Sequence, residues 1–240
     1  MLDLKKSINF PYLNWKYFLP ILLFSFLSLI NDMFFLVTLL LVIFFGIGLF
    51  GTKIIDKLKS YNKSYKYILK FTAVAFLVTI IFLIMQFIVI FLGSLPILFL
   101  SFDFILSNLS DSLLGSLSIG VVFGIIFFVI FLLFAIVLEF LKIMGLINYF
   151  RSNKFEDIFT IKENLKKIFS KDFFVVLFFL IGFSLMYFIL FILLGSLIDN
   201  LIIKLFGFSI FYVFFILYFF IVIGTLYSAM NELIINKKNK

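Results

Sequence analysis

The chain has 240 residues, of which 65% are hydrophobic and 13% are charged, whereas soluble domains carry about 25% charged residues and roughly half apolar ones. This composition excludes an ordinary soluble protein and predicts a single integral membrane domain over residues 1–240, built as an all-α polytopic bundle. The net charge of +8 comes from lysines in short segments between apolar blocks, which predicts contact with anionic lipid headgroups and no nucleic-acid partner.

The first apolar region, residues 17–51, predicts a helical hairpin. It is too long for one ordinary span and is interrupted at Asn31-Asp32, a pair that is unfavourable at the centre of a bilayer. The first arm, residues 17–30, would be about 21 Å long, which is short for a hydrocarbon core of about 30 Å. Either this arm begins near Pro11 and spans fully, or the hairpin is re-entrant. A signal peptide is disfavoured because a second apolar arm follows at once, without a small-residue cleavage site.

Four later stretches are long and apolar enough to cross a bilayer as helices. They are Phe71–Leu92, Ile119–Leu141, Phe173–Ile198 and Leu205–Met230. We therefore predict about six spans, or four spans plus the re-entrant hairpin, with two helix pairs at 71–141 and 173–230. The motif Leu-Gly-Ser-Leu closes the first span of each pair, which suggests a parallel repeat. The motif also occurs at 114–117, so a chance match among leucine-rich segments is the alternative.

Basic residues determine the predicted orientation, because cytoplasmic loops of membrane proteins are enriched in lysine and arginine. Every basic residue except Lys204 falls in one of four groups on the same side of the predicted bilayer, at residues 5–16, 53–70, 142–171 and 237–240. The opposite side carries Asp32, Asp103, Asp111 and Asp199. The sequence therefore predicts a multi-pass protein of the cell membrane with both termini in the cytoplasm.

The segment between the fourth and fifth spans predicts a helix lying on the cytoplasmic membrane surface. Its apolar residues recur at three- and four-residue spacing and share one helical face: Ile158, Ile161, Leu165, Ile168 and Phe169. Lys162, Lys166 and Lys167 lie off that face, where they would meet anionic headgroups. Thr160 and Glu163 have the capping-box spacing that begins a helix. A plain packing helix, or docking of an unidentified protein partner, is the alternative.

On the opposite side, a second amphipathic helix is predicted after Pro96. Its apolar face would consist of Phe99, Phe102, Leu106, Leu109 and Leu113, as in an interfacial or re-entrant helix. Asn108-Leu109-Ser110 is also a glycosylation sequon. Sequons this short are common by chance, so the motif alone does not establish modification.

Few polar residues fall inside the predicted spans, where polar groups are the default functional candidates. Gln86 lies within the third span, and Glu139 lies near the cytoplasmic end of the fourth. Glu139 is expected to pair with Lys142 one turn later, and Gln86 is expected to bond between helices rather than to a substrate. Close helix packing is predicted at the inner end of the second span by its glycines, Gly46, Gly48 and Gly51.

Cysteine and histidine are absent, which removes the thiol nucleophile, the imidazole base and the commonest soft metal ligands. The sequence contains no phosphate-binding glycine loop, zinc-protease helix or nucleophile elbow. We therefore expect no enzyme activity, no catalytic residue, no cofactor and no metal. The leading hypothesis is a non-enzymatic structural, assembly or interaction role in the membrane. The alternative is a permease or transporter component for a small or apolar substrate, which a repeat would favour.

Two stretches of the chain resemble a known family. One is Gly145-Leu146-Ile147-Asn148-Tyr149-Phe150, followed by Phe155-Glu156-Asp157-Ile158-Phe159 and a Phe-rich span, and the other is Phe10-Pro11-Tyr12-Leu13-Asn14-Trp15-Lys16. Both are similar to an uncharacterised domain-of-unknown-function family of archaeal multi-span membrane proteins, in which an acid is usual where Asn14 stands here. The resemblance implies multi-span topology and supplies no activity or functional residues.

Overall fold

The described residues of the chain form helices. The computed structural model describes residues 2–13, 25–26, 32–56, 64–107, 114–207 and 209–235, and no strand occurs within these ranges. The α-helices are α1 (Leu4–Leu13), α2 (Asp32–Asp56), α3 (Ser64–Ser107), α4 (Leu114–Ser152), α5 (Ile161–Ile168), α6 (Lys171–Phe206) and α7 (Phe211–Ile235), with a 3-10 helix at Phe155–Phe159. The predicted all-α class is therefore confirmed.

Five of these helices are long and apolar enough to cross a membrane. The qualifying segments are Phe35–Thr52, Lys66–Phe99, Val122–Ser152, Lys171–Phe206 and Phe211–Ile235. They include the second arm of the predicted hairpin and all four later spans. The first arm lies outside the described residues except at 25–26, so the sixth span stays a prediction.

The long helices α3, α4 and α6 exceed the length that a bilayer requires. Helix α3 has 44 residues, or about 66 Å, against a hydrocarbon core of about 30 Å. It also continues through Pro96 to Ser107. The prediction of a separate outer helix beginning after Pro96 is therefore wrong for Phe99–Ser107, because these residues extend α3. Residues 108–113, which include the sequon at Asn108, lie outside the described part of the chain. Proline removes one helical hydrogen bond, and membrane helices tolerate this loss where neighbouring groups compensate.

The turn between α6 and α7 lies later in the chain than the apolar pattern indicates. Helix α6 continues past Ile198 to Phe206 and ends at Gly207, whose φ of 73° places it in the left-handed region that glycine adopts without strain. The carboxylate of Asp199 accepts hydrogen bonds from the backbone N–H groups of Ile210, at 2.5 Å, and Phe211, at 2.9 Å. Asp199 thus satisfies the start of α7, because the first N–H groups of a helix have no partner within it.

The chain divides into two compact units, residues 1–76 with 143–240, and residues 77–142. In the first unit, α7 packs against α1, α2 and α6. The ring of Phe50 on α2 lies within a cluster of aromatic side chains. Its centroid is 5.1 Å from that of Phe10, 5.5 Å from that of Tyr227 and 6.4 Å from that of Phe150. These contacts join α1, α2, α4 and α7 at one end of the unit.

Glycines allow close helix approach where the sequence predicts it. A Cβ added to Gly48 on α2 would collide with the Thr72 hydroxyl and stand 2.8 Å from the carbonyl oxygen of Ile68. At Gly51, an added Cβ would stand 2.9 Å from the ring of Phe71. The predicted close packing at this end of the second span is confirmed.

Candidate functional site

The second unit contains a polar network between α3 and α4. The side-chain Nε2 of Gln86 donates a hydrogen bond to the carbonyl oxygen of Ala135 at 3.0 Å and another to Oε2 of Glu139 at 3.2 Å. Ala135 and Glu139 lie one turn apart on α4, so a single amide joins the two helices at two points. This is the interhelical bonding that the sequence favours for Gln86.

Glu139 continues the network to a lysine. Its Oε1 lies 2.5 Å from Nζ of Lys142, and the Lys142 side chain is 11% exposed while that of Glu139 is 42% exposed. The buried ammonium therefore has a counterion one turn away, which a buried cation requires. The spacing of three residues matches the pairing expected from the sequence. Together Gln86, Glu139 and Lys142 form what we call the span network.

The apolar stripe predicted for the connector between α4 and α6 has a buried part and an exposed part. Ile158 and Ile168 are buried at 2% and 3% exposure, whereas Ile161 is 50% exposed and Phe169 is 66% exposed. Lys162 and Lys166 are exposed and Lys167 is half-buried. One part of the stripe therefore packs against the protein. The apolar side chains of the other part are exposed, and they lie next to lysines in the sequence.

A second polar cluster holds this connector in place, and sequence reasoning missed it. The amide nitrogen Nδ2 of Asn148 on α4 donates to Oδ1 of Asn164 at 3.0 Å and to the Thr160 hydroxyl at 3.3 Å. Asn164 is 1% exposed. It lies on α5 between lysines, so its pattern reads as a solvated helix face, and only the packing of α5 against the end of α4 buries it.

Thr160 precedes α5 as predicted, but the predicted capping box does not form. The hydroxyl of Thr160 makes no capping bond to α5. It donates instead to the carbonyl oxygen of Asp157 at 3.0 Å and accepts hydrogen bonds from Asn148 and Asn164. The two amides therefore take the place of the N–H group that a capping threonine would satisfy.

The basic end of the first unit includes Lys70 on α3 and Arg151 at the end of α4. Nζ of Lys70 on α3 donates to Oδ1 of Asn153 at 2.9 Å. Asn153 follows α4 with a φ of 58°, a left-handed conformation that asparagine tolerates at helix ends. Two residues earlier, Arg151 has a buried Nη1 with no hydrogen-bond partner among the described residues. The one signal in the sequence was that Arg151 is the single arginine among lysines.

Helix α1 is joined to α7 by a mixed polar and apolar contact. Nζ of Lys6 lies 3.3 Å from Oε1 of Glu232, whose side chain is 9% exposed. Further along, Pro11 packs against Gly224, where an added Cβ would stand 3.0 Å from the proline ring. Because Lys6 meets the later residue of α7 and Pro11 the earlier one, the two helices run antiparallel.

Helices of this length and composition, with polar groups bonded mainly to one another, define a multi-span helical membrane protein. A family model described as a protein of unknown function (DUF4013) matches residues 69–198, which is more than half of the chain. The chain therefore belongs to the DUF4013 family. The matched region includes residues 145–159, on which the resemblance to an uncharacterised family was based, while residues 10–16 lie outside it. No curated protein and no solved structure matches the chain.

Proposed function

We propose that this DUF4013 protein is a non-enzymatic integral membrane protein with a structural, assembly or interaction role. The supporting observation is that polar side chains in its candidate spans bond to other side chains of the same chain: Gln86 to Glu139, Glu139 to Lys142, and Glu232 to Lys6. The first and the last of these pairs join different helices, and polar contacts between helices stabilise membrane bundles. Transport of ions or catalysis would instead require ionisable groups directed toward a ligand.

The proposed location is the cell membrane, with both termini in the cytoplasm. The distribution of lysines supports this orientation. The antiparallel packing of α1 on α7 supports it as well, because the Lys6–Glu232 contact lies near the start of α1 and near the end of α7. The start of α1 and the end of α7 thus lie on the same side of the first unit.

The connector is proposed to lie as an amphipathic segment on the cytoplasmic leaflet. Ile161 and Phe169 would enter the acyl boundary, and Lys162, Lys166 and Lys167 would face anionic headgroups. The exposure of these two apolar side chains supports the proposal, since nothing else in the described part of the chain covers them. A protein partner on this surface is the competing occupant.

Spin labels test the position of the connector, and the cysteine-free chain allows single labels without prior substitutions. We expect a nitroxide at Phe169→Cys, in anionic lipid vesicles, to collide more with oxygen than with a water-soluble nickel complex. A label at Lys166→Cys should show the reverse. Equal nickel access at both positions would contradict a membrane-surface connector.

The assembly role is tested by purifying the cross-linked full-length protein from its own membranes in a mild detergent. We expect a complex of fixed stoichiometry, either with another protein or between copies of this chain. A matched sample with a single-span membrane protein of equal expression controls for capture by detergent micelles. Recovery of the monomer alone would contradict the proposal.

A permease component is the second candidate, and one observation favours it. The side-chain oxygens of Ser7, Thr225 and Asn231 are buried without a hydrogen-bond partner among the described residues. Buried polar atoms of this kind are usually satisfied by water or a ligand. Uptake of a small solute into proteoliposomes, reduced by Thr225→Val but not by the exposed substitution Asn200→Ala, would replace the assembly role with transport.

A further inference from the structure

The ends of α3 and α4 in the first unit form a basic corner that the proposed function leaves unused. The ring of Phe71 on α3 contacts those of Tyr149 and Phe150 on α4, with centroid distances of 5.7 and 5.1 Å. The hydrogen bond from Lys70 to Asn153 lies beside these contacts. The two helix ends are therefore fixed against each other by both aromatic packing and a polar bond.

The cations at this corner have no acidic partner among the described residues. Neither Lys70 nor Arg151 nor Lys154 forms an ion pair within the part of the chain that the structure describes. Glu156 and Asp157 follow closely in the sequence, but neither carboxylate pairs with these cations. The corner thus carries a net positive charge that the described residues do not neutralise.

Arg151 shows most clearly that an acceptor is missing among the described residues. Its Nη1 is buried and donates no hydrogen bond to any described residue. A buried donor without an acceptor is unfavourable, more so when it is charged. The fork of a guanidinium group fits the paired oxygens of a phosphate, which it can bind with two parallel hydrogen bonds.

The exposed apolar side chains beside these cations favour a lipid phosphate over a free one. The candidate spans of α3 and α4 begin at Lys66 and end at Ser152, so the corner lies at the ends of two helices that are apolar enough to cross a membrane. Leu69 is 67% exposed next to Lys70, and Phe155 is also exposed next to Lys154. A molecule that combines an anionic group with apolar chains would contact the cations and these apolar side chains together.

We infer that Arg151 and Lys70 bind the phosphate of an anionic phospholipid headgroup, with acyl chains lying along the exposed apolar side of the corner. The inference deepens the proposed membrane role by adding a specific lipid site. It is independent of the surface formed by Lys162, Lys166 and Lys167. Arg151, which is only part-buried as a whole residue, supplies the guanidinium donors, and Lys70, held by Asn153, supplies a second positive charge.

Native mass spectrometry of the full-length protein in mild detergent tests this site. Dioleoylphosphatidylglycerol and dioleoylphosphatidylcholine are titrated separately, and inorganic phosphate is added in a third arm. We expect one phosphatidylglycerol to be retained preferentially. Arg151→Gln should weaken its retention about tenfold or more, as expected for loss of a charge-assisted hydrogen bond. Lys70→Gln should weaken it several-fold. The exposed control Lys204→Gln should leave it unchanged.

Several results would overturn the inference. Unchanged retention in Arg151→Gln would do so, as would equal retention of phosphatidylcholine, which would show that the anionic headgroup is not selected. Displacement of the lipid by inorganic phosphate at low millimolar concentration would identify a free phosphate site instead. Should Arg151→Gln fail to fold, Lys70→Gln decides, since several-fold weaker retention supports the site and unchanged retention overturns it.

A triple variant separates this inference from the proposed surface of the connector. If replacement of Lys162, Lys166 and Lys167 by glutamine weakens retention while Arg151→Gln does not, the inference fails and the surface proposal stands. If Arg151→Gln weakens retention and the triple variant does not, the lipid site is supported. In that case, spin-label access at the connector decides the surface proposal by itself.

Discussion

Gly48 is a residue at which helices α2 and α3 come close together. A methyl group there would collide with the Thr72 hydroxyl and stand 2.8 Å from a backbone carbonyl oxygen, so relief would require the helices to move apart. Although alanine favours helix formation over glycine by up to about 1 kcal/mol, overpacking typically destabilises by about 1–3 kcal/mol. We expect Gly48→Ala to lower the thermal unfolding temperature in detergent.

Gly182 provides the matched control for that prediction. It lies in α6, and an added Cβ would meet no atom within 4 Å. We expect Gly182→Ala to leave the unfolding temperature unchanged or to raise it slightly, because only helix propensity changes. Equal effects of the two substitutions would show that close packing at Gly48 does not contribute to stability.

The span network allows a direct measurement of coupling between residues. Gln86 bonds to Glu139 at 3.2 Å, and Glu139 also pairs with Lys142. A double-mutant cycle with Gln86→Leu and Glu139→Ala should give a coupling free energy of about 0.5–1.5 kcal/mol, the range typical of polar contacts between membrane helices. Reversible unfolding in mixed micelles measures it. Strict additivity of the two substitutions would contradict the bond.

How far these residues could be predicted depends on what surrounds them. Gln86 and Glu139 stand out because they are polar residues in apolar stretches, and the partner Lys142 follows from helical spacing. Asn148 and Asn164 do not stand out, since their contact and the burial of Asn164 arise only when the chain returns after α4 and places α5 against it. Arg151 likewise reads as one cation among many until the contacts of Phe71 with Tyr149 and Phe150 define the corner around it.

At the scale of elements, the positions of helix centres can be predicted from composition, whereas the positions of helix ends cannot. Long apolar stretches predict spans because a chain can cross the bilayer only if its backbone N–H and C=O groups are hydrogen-bonded within the protein. The ends depend on local contacts: Gly207 ends α6 in a left-handed conformation, and Asp199 caps α7 from the preceding helix. Both residues lie beside apolar side chains, so hydropathy alone predicts a turn that is several residues too early.

The cap on α7 gives a prediction at this scale. Asp199→Ala removes the acceptor for two backbone N–H groups and for the Ser209 hydroxyl, at 2.7 Å. We expect a loss of about 1–2 kcal/mol in stability, as for other N-cap residues, and faster hydrogen exchange at the start of α7. Asn200→Ala, the exposed neighbour on α6, is the control and should leave exchange in α7 unchanged. Equal exchange in both variants would contradict the cap.

For the whole molecule, the central expectation is the side of the membrane on which each helix end lies. The basic ends are predicted to be cytoplasmic because lysine and arginine are retained there during insertion. Lys154 follows α4, Asn200 lies near the far end of α6, and Lys5 lies on α1; all three are exposed. They therefore report on both ends of the spans and on the N-terminus.

Single cysteines at these positions test the topology, because the natural chain contains none. In intact cells, a membrane-impermeant maleimide should label Asn200→Cys and should label Lys154→Cys only after permeabilisation. Lys5→Cys should behave like Lys154→Cys, because the ion pair of Lys6 with Glu232 places the start of α1 beside the end of α7. Labelling of Lys5→Cys in intact cells would require α1 to begin outside. It would leave only an odd number of crossings between the N-terminus and residue 154, so the six-span and the four-span models would both fail.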